Sequence, residues 1–425
     1  MQVYLAPHPQ LQQPLRYVML LIAQNQGLEL QFVPEAGERT LVLDPAHPRS
    51  PALAMDFWAD LHTAESDFSH ATRFAKTPEI RCEDGRVDRL ATIFYLVNCL
   101  QEWRPKAEEL DKFGRFRYES AFQHRFDCIA HNLVQGHIDA CMADWGWKGQ
   151  VRPSGFFVSH DIDTIYGSLK EDGFWALKRG RVDVLLRLVA NALLARPHWR
   201  NMDAILRLNT EYDVKTTFFW LVNKGIGESG IKNADYRIQQ EQDLPALVAA
   251  KGFTNGLHKS CSPMTIDAEL DQLGRPTTFN RYHFLRFLPH VDWPKIAASR
   301  LDFDSSLGFA ERIGFRNGYG AAFQPFDLAA GRPYDFVEAP LTLMDSTLHR
   351  YMGIHVADIG QRIIDFCEAH PRGCVFSFLW HNTYFTDYKY GGLIAPYKQV
   401  LAYIHERKLP VYTPQDLVAQ TRMAW

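Results

Sequence analysis

An apolar run that breaks abruptly into charge limits most strongly how this chain folds. The stretch Phe156-Phe157-Val158-Ser159-His160-Asp161-Ile162-Asp163 reads as a buried strand emerging at the end of a sheet. Side chains two apart on a strand share a face, so Asp161 and Asp163 look into one site. Two ionised carboxylates held that close repel each other. They need a cation, a shared proton or nearby positive groups. One metal ligand beside one general base meets that need. So does a plainer arrangement in which the carboxylates cap a following helix.

From residue 153 onward, strand and helix patterns alternate. Strands are expected over 155–159, 216–222, 252–257, 282–287, 301–303, 336–343, 374–380 and 410–412. Helices are expected over 175–194, 202–212, 243–250, 266–273, 293–299, 355–370, 395–406 and 414–420. Alternation sustained over about 270 residues predicts a parallel sheet, and that length suits a barrel better than an open sheet. The expected class is α/β, a distorted (β/α)7-type barrel over 151–425. Residues 1–150 read as a smaller N-terminal α/β domain of unassigned role. It has strand or helix material over 15–22 and 41–43, helices over 88–101, 113–122 and 126–143, and a turn-rich join at 145–153.

Composition narrows the function classes. At 425 residues and 46% hydrophobic, the chain has apolar material for two sizeable cores. A net charge of -3 and a pI near 6.6 supply no basic field for nucleic acid. The seven cysteines are scattered, odd in number and without CxxC spacing, which favours a reducing compartment. No secretory leader pattern and no uncharged apolar run of spanning length is present, so a cytoplasmic location is expected. The most apolar helix, over 182–195, carries Asp183, Arg187 and Asn191, as a buried or docking helix would. Self-association into a homo-oligomer stays open.

Chemistry in a β/α barrel gathers at the C-terminal ends of the strands. Those ends supply Asp161 and Asp163, then His258, Arg281 with His283, Asp304, Asp345, and Trp380 with His381. An Asp with two or three His is a workable ligand set for zinc or a similar divalent ion with a position left for water. A lone His after a strand is more commonly structural; the weight lies in the recurrence. Arg286, Asp304 and Asp345 are candidates to line a polar substrate cleft, and Trp380 to stack on a sugar. Salt bridges, a turn cap and core burial are the competing readings.

These residues resemble the motifs of the polysaccharide deacetylase family, the NodB-homology domain of carbohydrate esterase family 4, over about 154–420. Ser159-His160-Asp161-Ile162-Asp163 resembles its first motif, Thr216-Thr217-Phe218-Phe219 the strand that follows, and Gly256-Leu257-His258 the second motif. Arg281 resembles the third-motif arginine, and Trp380-His381 the last motif. Residues 1–150 resemble the uncharacterised N-terminal domain of one bacterial subgroup. The resemblance implies Asp161 as general base, Asp163 and His258 as metal ligands, Arg281 as holder of the base and His381 as general acid.

In one place the chain departs from the family. The second motif ordinarily supplies another His four residues on, and here that position is Ser262. His283 replaces it as third ligand, or Cys261 does, or the metal site is lost. The expected activity is metal-dependent hydrolysis of a carbon–nitrogen bond, N-deacetylation of an acetylated amino sugar or glycan precursor, with zinc as cofactor and a carbohydrate as partner. A glycan-binding protein on the same fold and a hydrolase of a non-sugar amide are the alternatives.

Overall fold

The computed structural model describes residues 1–63, 65–194, 199–386 and 391–425. Strands β1 (Gln2–Leu5), β2 (Gln31–Val33) and β3 (Leu41–Leu43) form a small parallel sheet in the order β2-β1-β3. The chain then supplies β4 (Gly155–Ile162), β5 (Thr216–Trp220), β6 (Thr254–Lys259), β7 (Phe279–Tyr282) and β8 (Phe303–Asp304). A short antiparallel pair follows, β9 (Phe326–Asp327) with β10 (Arg332–Pro333). The last strands are β11 (Val337–Glu338), β12 (Leu341–Met344) and β13 (Val375–Leu379). The large sheet runs β11-β8-β7-β6-β5-β4-β13-β12, and every neighbouring pair is parallel.

The two edges of that sheet are consecutive in the chain. β11 and β12 are halves of the one strand expected over 336–343, parted by Ala339 and Pro340. Pro340 has no N–H to continue a ladder. Ala339 N donates to Asp304 O at 2.9 Å and Leu341 N to Leu307 O at 2.9 Å. The first half pairs with β8 and the second with β13. This short link draws both edges together, and the sheet curls into a barrel with a seam in place of a closed ladder. With β11 and β12 taken as one broken strand, the barrel has the distorted seven-position form expected.

A period of two sorts the side chains. Phe156, Val158 and Ile162 of β4 face the surrounding helices, while Phe157 joins Phe219, Phe279 and Phe303 inside the barrel. The Phe157 and Phe303 rings meet edge to face at 5.3 Å. Each such phenylalanine contributes roughly 2–3 kcal/mol by leaving water. Gly256 of β6 is required here, because a Cβ would lie 2.6 Å from the Phe219 ring.

Several expected elements differ. The 282–287 strand ends at Tyr282, and His283–Leu285 turns instead, with Phe284 at φ 63° and Leu285 at φ 50°. The 113–122 helix does not form. Asp111 Oδ1 accepts from the amides of Phe113 and Arg115 at 2.8 and 2.9 Å, and Gly114 takes φ 81°, so a side-chain-held turn replaces the helix. Residues 15–22 belong to one helix, Gln12–Gln26. The helix expected over 126–143 begins at Leu133, after an Asn132 cap. Ala195, last in the expected 182–195 helix, lies outside the described residues; the helix spans Val182–Leu193.

One apolar core runs from the N-terminal part into the barrel, holding Tyr17, Trp58 and Phe94 together with Phe156 and Phe376. A buried ion pair crosses the same boundary, Arg316 Nη2 to Glu102 Oε2 at 2.6 Å. Tyr17 also donates to Gln324 O at 2.8 Å.

Glu338 stands opposite Asp304 in the β11–β8 register, both fully buried. Burial pushes the Asp304 carboxyl up to about 6. Burial and the Asp304 charge push Glu338 well up. A raised carboxyl pKa means that the folded state binds the extra proton. Its stabilising effect is full below the usual pKa of about 4 and is lost as pH rises through about 6. The melting temperature is therefore expected to fall from pH 5 to pH 8 in wild type and to fall less in Asp304→Asn. Equal slopes in thermal melts would refute the reading that Asp304 binds its extra proton in the folded state.

Candidate active site

Arg281 fills the barrel above the phenylalanine layer, with no exposed surface. Its Nε donates to Ser305 O at 2.9 Å. Nη1 donates to Ser159 Oγ at 2.7 Å and to Asp161 Oδ1 at 3.0 Å, and Nη2 to Ser305 Oγ at 3.1 Å. The guanidinium also lies 4.7 Å from the Phe219 ring centre. Ser159 and Asp161 alternate on β4, so one strand face supplies both acceptors. The pair fixes the orientation of the Asp161 carboxylate, whose Oδ2 is 3.5 Å from His258 Nε2.

Asp163, His258 and His283 bring three ligand atoms within 4.8 Å of one another. His258 Nδ1 lies 2.8 Å from Arg281 O, and His283 Nε2 lies 2.9 Å from Lys232 O. A carbonyl only accepts, so each of those nitrogens carries the proton. The opposite nitrogens, His258 Nε2 and His283 Nδ1, face each other at 3.1 Å. Two imidazole lone pairs at that distance repel unless a proton or a cation lies between them. Asp163 Oδ1, buried and without a hydrogen-bond partner, is 3.5 Å from the first and 3.6 Å from the second. Burial alone would raise the Asp163 pKa, but His283, His258 and His381 outweigh it and hold the carboxyl well below its usual range. The donor set, the carbonyls that fix both rings and the orphaned oxygen are compatible with a divalent cation.

His381 forms the other wall. Its Nδ1 lies 2.8 and 3.0 Å from the two oxygens of buried Asp345, which also accepts from the His381 amide. Its Nε2 points at Asp163 Oδ2, 3.7 Å away. Burial would lower its pKa, but Asp345 raises it, joined by Asp163 and Asp161, to about 9. At neutral pH this side chain is an acid that presents Nε2–H to the pocket. The pocket has a volume of about 380 Å³ and is lined also by Leu285, Met344, Leu379 and Tyr384.

Other expected site residues lie elsewhere. Asp345 is fully buried and is bonded to His381. Asp304 is fully buried and accepts from Asn280 Nδ2 at 2.6 Å and Ser306 N at 2.9 Å, so it neither lines a cleft nor touches Arg281. Trp380 has no exposed surface and packs on Phe378 and Tyr397, which excludes stacking on a sugar. Arg286 lies in a neighbouring cleft, 2.7 Å from Glu228. Ser262 donates to buried Glu269 at 2.9 Å, away from the histidines. The Cys261 thiol points at the His283 carbonyl at 3.6 Å, and burial raises it to about 11, which keeps it protonated. His160 faces outward, bonded to Trp380 O at 2.7 Å, and burial lowers its pKa to about 4.

Sequence reasoning missed Arg115. It comes from the N-terminal part, reaches the pocket and donates to Phe284 O at 3.2 Å. The signal was present in Asp111-Lys112-Phe113-Gly114-Arg115, a turn sequence with Asp first and Gly fourth.

Metal content by mass spectrometry after zinc loading and gel filtration is expected at about one ion per chain. His258→Ala and His283→Ala should lose it and Ser262→Ala should keep it. Retention in both histidine variants would remove these residues from the ligand set. Arg281→Ala leaves Asp161 buried without its partner and is expected to cost about 3–5 kcal/mol in denaturant unfolding.

No family model and no curated protein matches the chain. Two of the solved structures similar to part of it are the following. One, from Mycobacterium smegmatis, is provisionally described as a polysaccharide deacetylase. It is 13% identical with a TM-score of 0.37, over 65% of this chain and 94% of its own. The other, from Bordetella bronchiseptica, is provisionally described as a polysaccharide deacetylase involved in O-antigen biosynthesis. It is 13% identical with a TM-score of 0.32, over 63% of this chain and 84% of its own. Likenesses this distant say nothing of chemistry, which rests on the side chains above.

Proposed function

We propose that the chain hydrolyses a carbon–nitrogen bond with a divalent metal, zinc in the first instance, and removes the N-acetyl group of an amino sugar. The observation that carries this reading is that a cluster of three candidate ligands, a carboxylate held by a buried arginine and an imidazole held as an acid adjoin one pocket, which Asp161, Asp163, His283 and His381 line. Asp163, His258 and His283 would hold the ion. When bound, such an ion supplies Lewis acidity toward a carbonyl oxygen and toward water.

The chain's own groups divide the proton transfers. Asp161 accepts a proton from the attacking water, and Arg281 keeps its carboxylate aimed. His381 presents Nε2–H from the opposite side and donates to the leaving amine, without which the tetrahedral adduct returns to reactant. Asp345 holds the other imidazole nitrogen and so fixes both the ring and its charge. Leu285, Met344 and Leu379 give the pocket an apolar wall on which a methyl group rests. Its volume of about 380 Å³ falls in the range of about 300–1,000 Å³ found for small-molecule sites. A cytoplasmic protein of this kind would act on a glycan precursor.

Acetate release from N-acetylated amino sugars tests the reading. Asp161→Asn is expected to keep the metal and to lower kcat by about 10²–10⁴. Full activity in that variant would sink the assignment of the base. His381 donates while protonated, so activity should decline as pH rises past about 9. Removing the Asp345 charge lowers the His381 pKa, and Asp345→Asn should move that alkaline limb to lower pH. An unmoved limb would assign it to another group.

A further inference from the structure

The helical hairpin after β4 is apolar on its outer face as well as its inner one. Its arms are the helices Leu169–Lys178 and Val182–Leu193, which pack on each other. Ala176, Val184 and Leu188 point inward, with Trp199. Val182, Leu186, Val189 and Leu193 follow the i, i+4, i+7, i+11 spacing of a single helix stripe, and that stripe is exposed, Leu193 by 82%. Leu169, Phe174 and Leu177 of the first arm and Leu194 are exposed as well, Phe174 by 68%. Scattered apolar side chains on a surface need no explanation, but a helix apolar on both faces ordinarily has both covered.

Charge decides what covers this one. Lys170, Lys178, Arg179 and Arg187 are exposed around the stripe, beside Arg181, whose charge Asp183 balances. The exposed carboxylates there already have partners: Asp183 lies 2.7 Å from Arg181, and Glu171 lies 2.8 Å from Lys232. A second copy related by a two-fold axis would bring this cationic rim against itself. An apolar stripe rimmed by lysine and arginine instead matches a lipid surface with anionic headgroups. No helix among the described residues is long and apolar enough to cross a membrane, so the hairpin would lie in the surface.

We propose that the hairpin Leu169–Leu193 docks the protein on an anionic lipid surface. The hairpin adjoins the pocket: Glu171 pairs with Lys232, whose carbonyl accepts from His283 Nε2 at 2.9 Å. Docking brings the mouth of the barrel to the lipid–water boundary.

The test is flotation of the full chain with phosphatidylcholine vesicles, with and without phosphatidylglycerol. Wild type is expected to float with the anionic vesicles alone, and less as salt rises. Leu186→Ser with Leu193→Ser should weaken binding roughly tenfold per leucine. Lys178→Glu with Arg187→Glu should abolish the preference for anionic lipid. None of the four residues lines the catalytic pocket, so both double variants should keep the wild-type melting temperature and release of acetate from soluble sugars. Wild type that stays unbound, or floats equally with neutral vesicles, overturns the proposal. So does a dimer in light scattering that Leu186→Ser dissociates, which would make the stripe a contact between copies. Flotation needs no turnover, so its outcome is independent of the hydrolase reading.

Discussion

The guanidinium of Arg281 inside the barrel is the interaction on which the rest of the site depends. A buried cation is tolerated only when its donors are met and its charge is balanced. Here Ser159, Ser305 and the Asp161 carboxylate do both. The strands β4, β7 and β8 must keep their registers for those acceptors to converge. Arg281 also gives its carbonyl to His258 Nδ1, so the same residue that aims the carboxylate fixes the ring of a candidate ligand. A shift of one strand would disturb the base and the ligand set together.

The second constraint is the turn at His283–Leu285. Two consecutive left-handed residues without a glycine are costly, of order 1–3 kcal/mol each, and persist where the surroundings enforce them. The enforcement comes from the N-terminal part. Phe113 meets the Phe284 ring edge to face at 4.8 Å, and Arg115 lies 4.9 Å over the same ring while donating to its carbonyl. His283 is thereby directed at His258 and Asp163 instead of continuing β7. The N-terminal part thus has a physical connection to the site, through a loop that the helical expectation over 113–122 had hidden.

The seam between β11 and β12 explains how polar chemistry coexists with a tight barrel. A closed ladder would run one strand through Ala339 and Pro340 and bind both edges. The break leaves Glu338 with Asp304 on one side and sends Leu341–Met344 to β13, where the next residue is Asp345. The carboxylate that holds His381 is thus delivered by the half-strand across the seam.

The sequence by itself determined the alternation of strand and helix, the parallel sheet, the seven positions and the strand ends at which Asp161, Asp163, His258, Arg281 and His381 stand. These follow from local period and from apolar runs that stop in charge, which neighbouring residues encode. The resemblance to the deacetylase motifs also exposed Ser262 as a gap and offered His283 among the answers. Only the tertiary structure decided the rest, because the deciding contacts join residues far apart in the chain. Asp345 sits on His381 and not on a cleft, Trp380 turns into the core, and Asp304 shares its burial with Glu338. Each looks like a site residue by position, and strand position does not say which neighbour a side chain meets. Arg115 at the pocket, and an apolar stripe left uncovered on the hairpin, likewise depend on which surfaces meet after the barrel has closed.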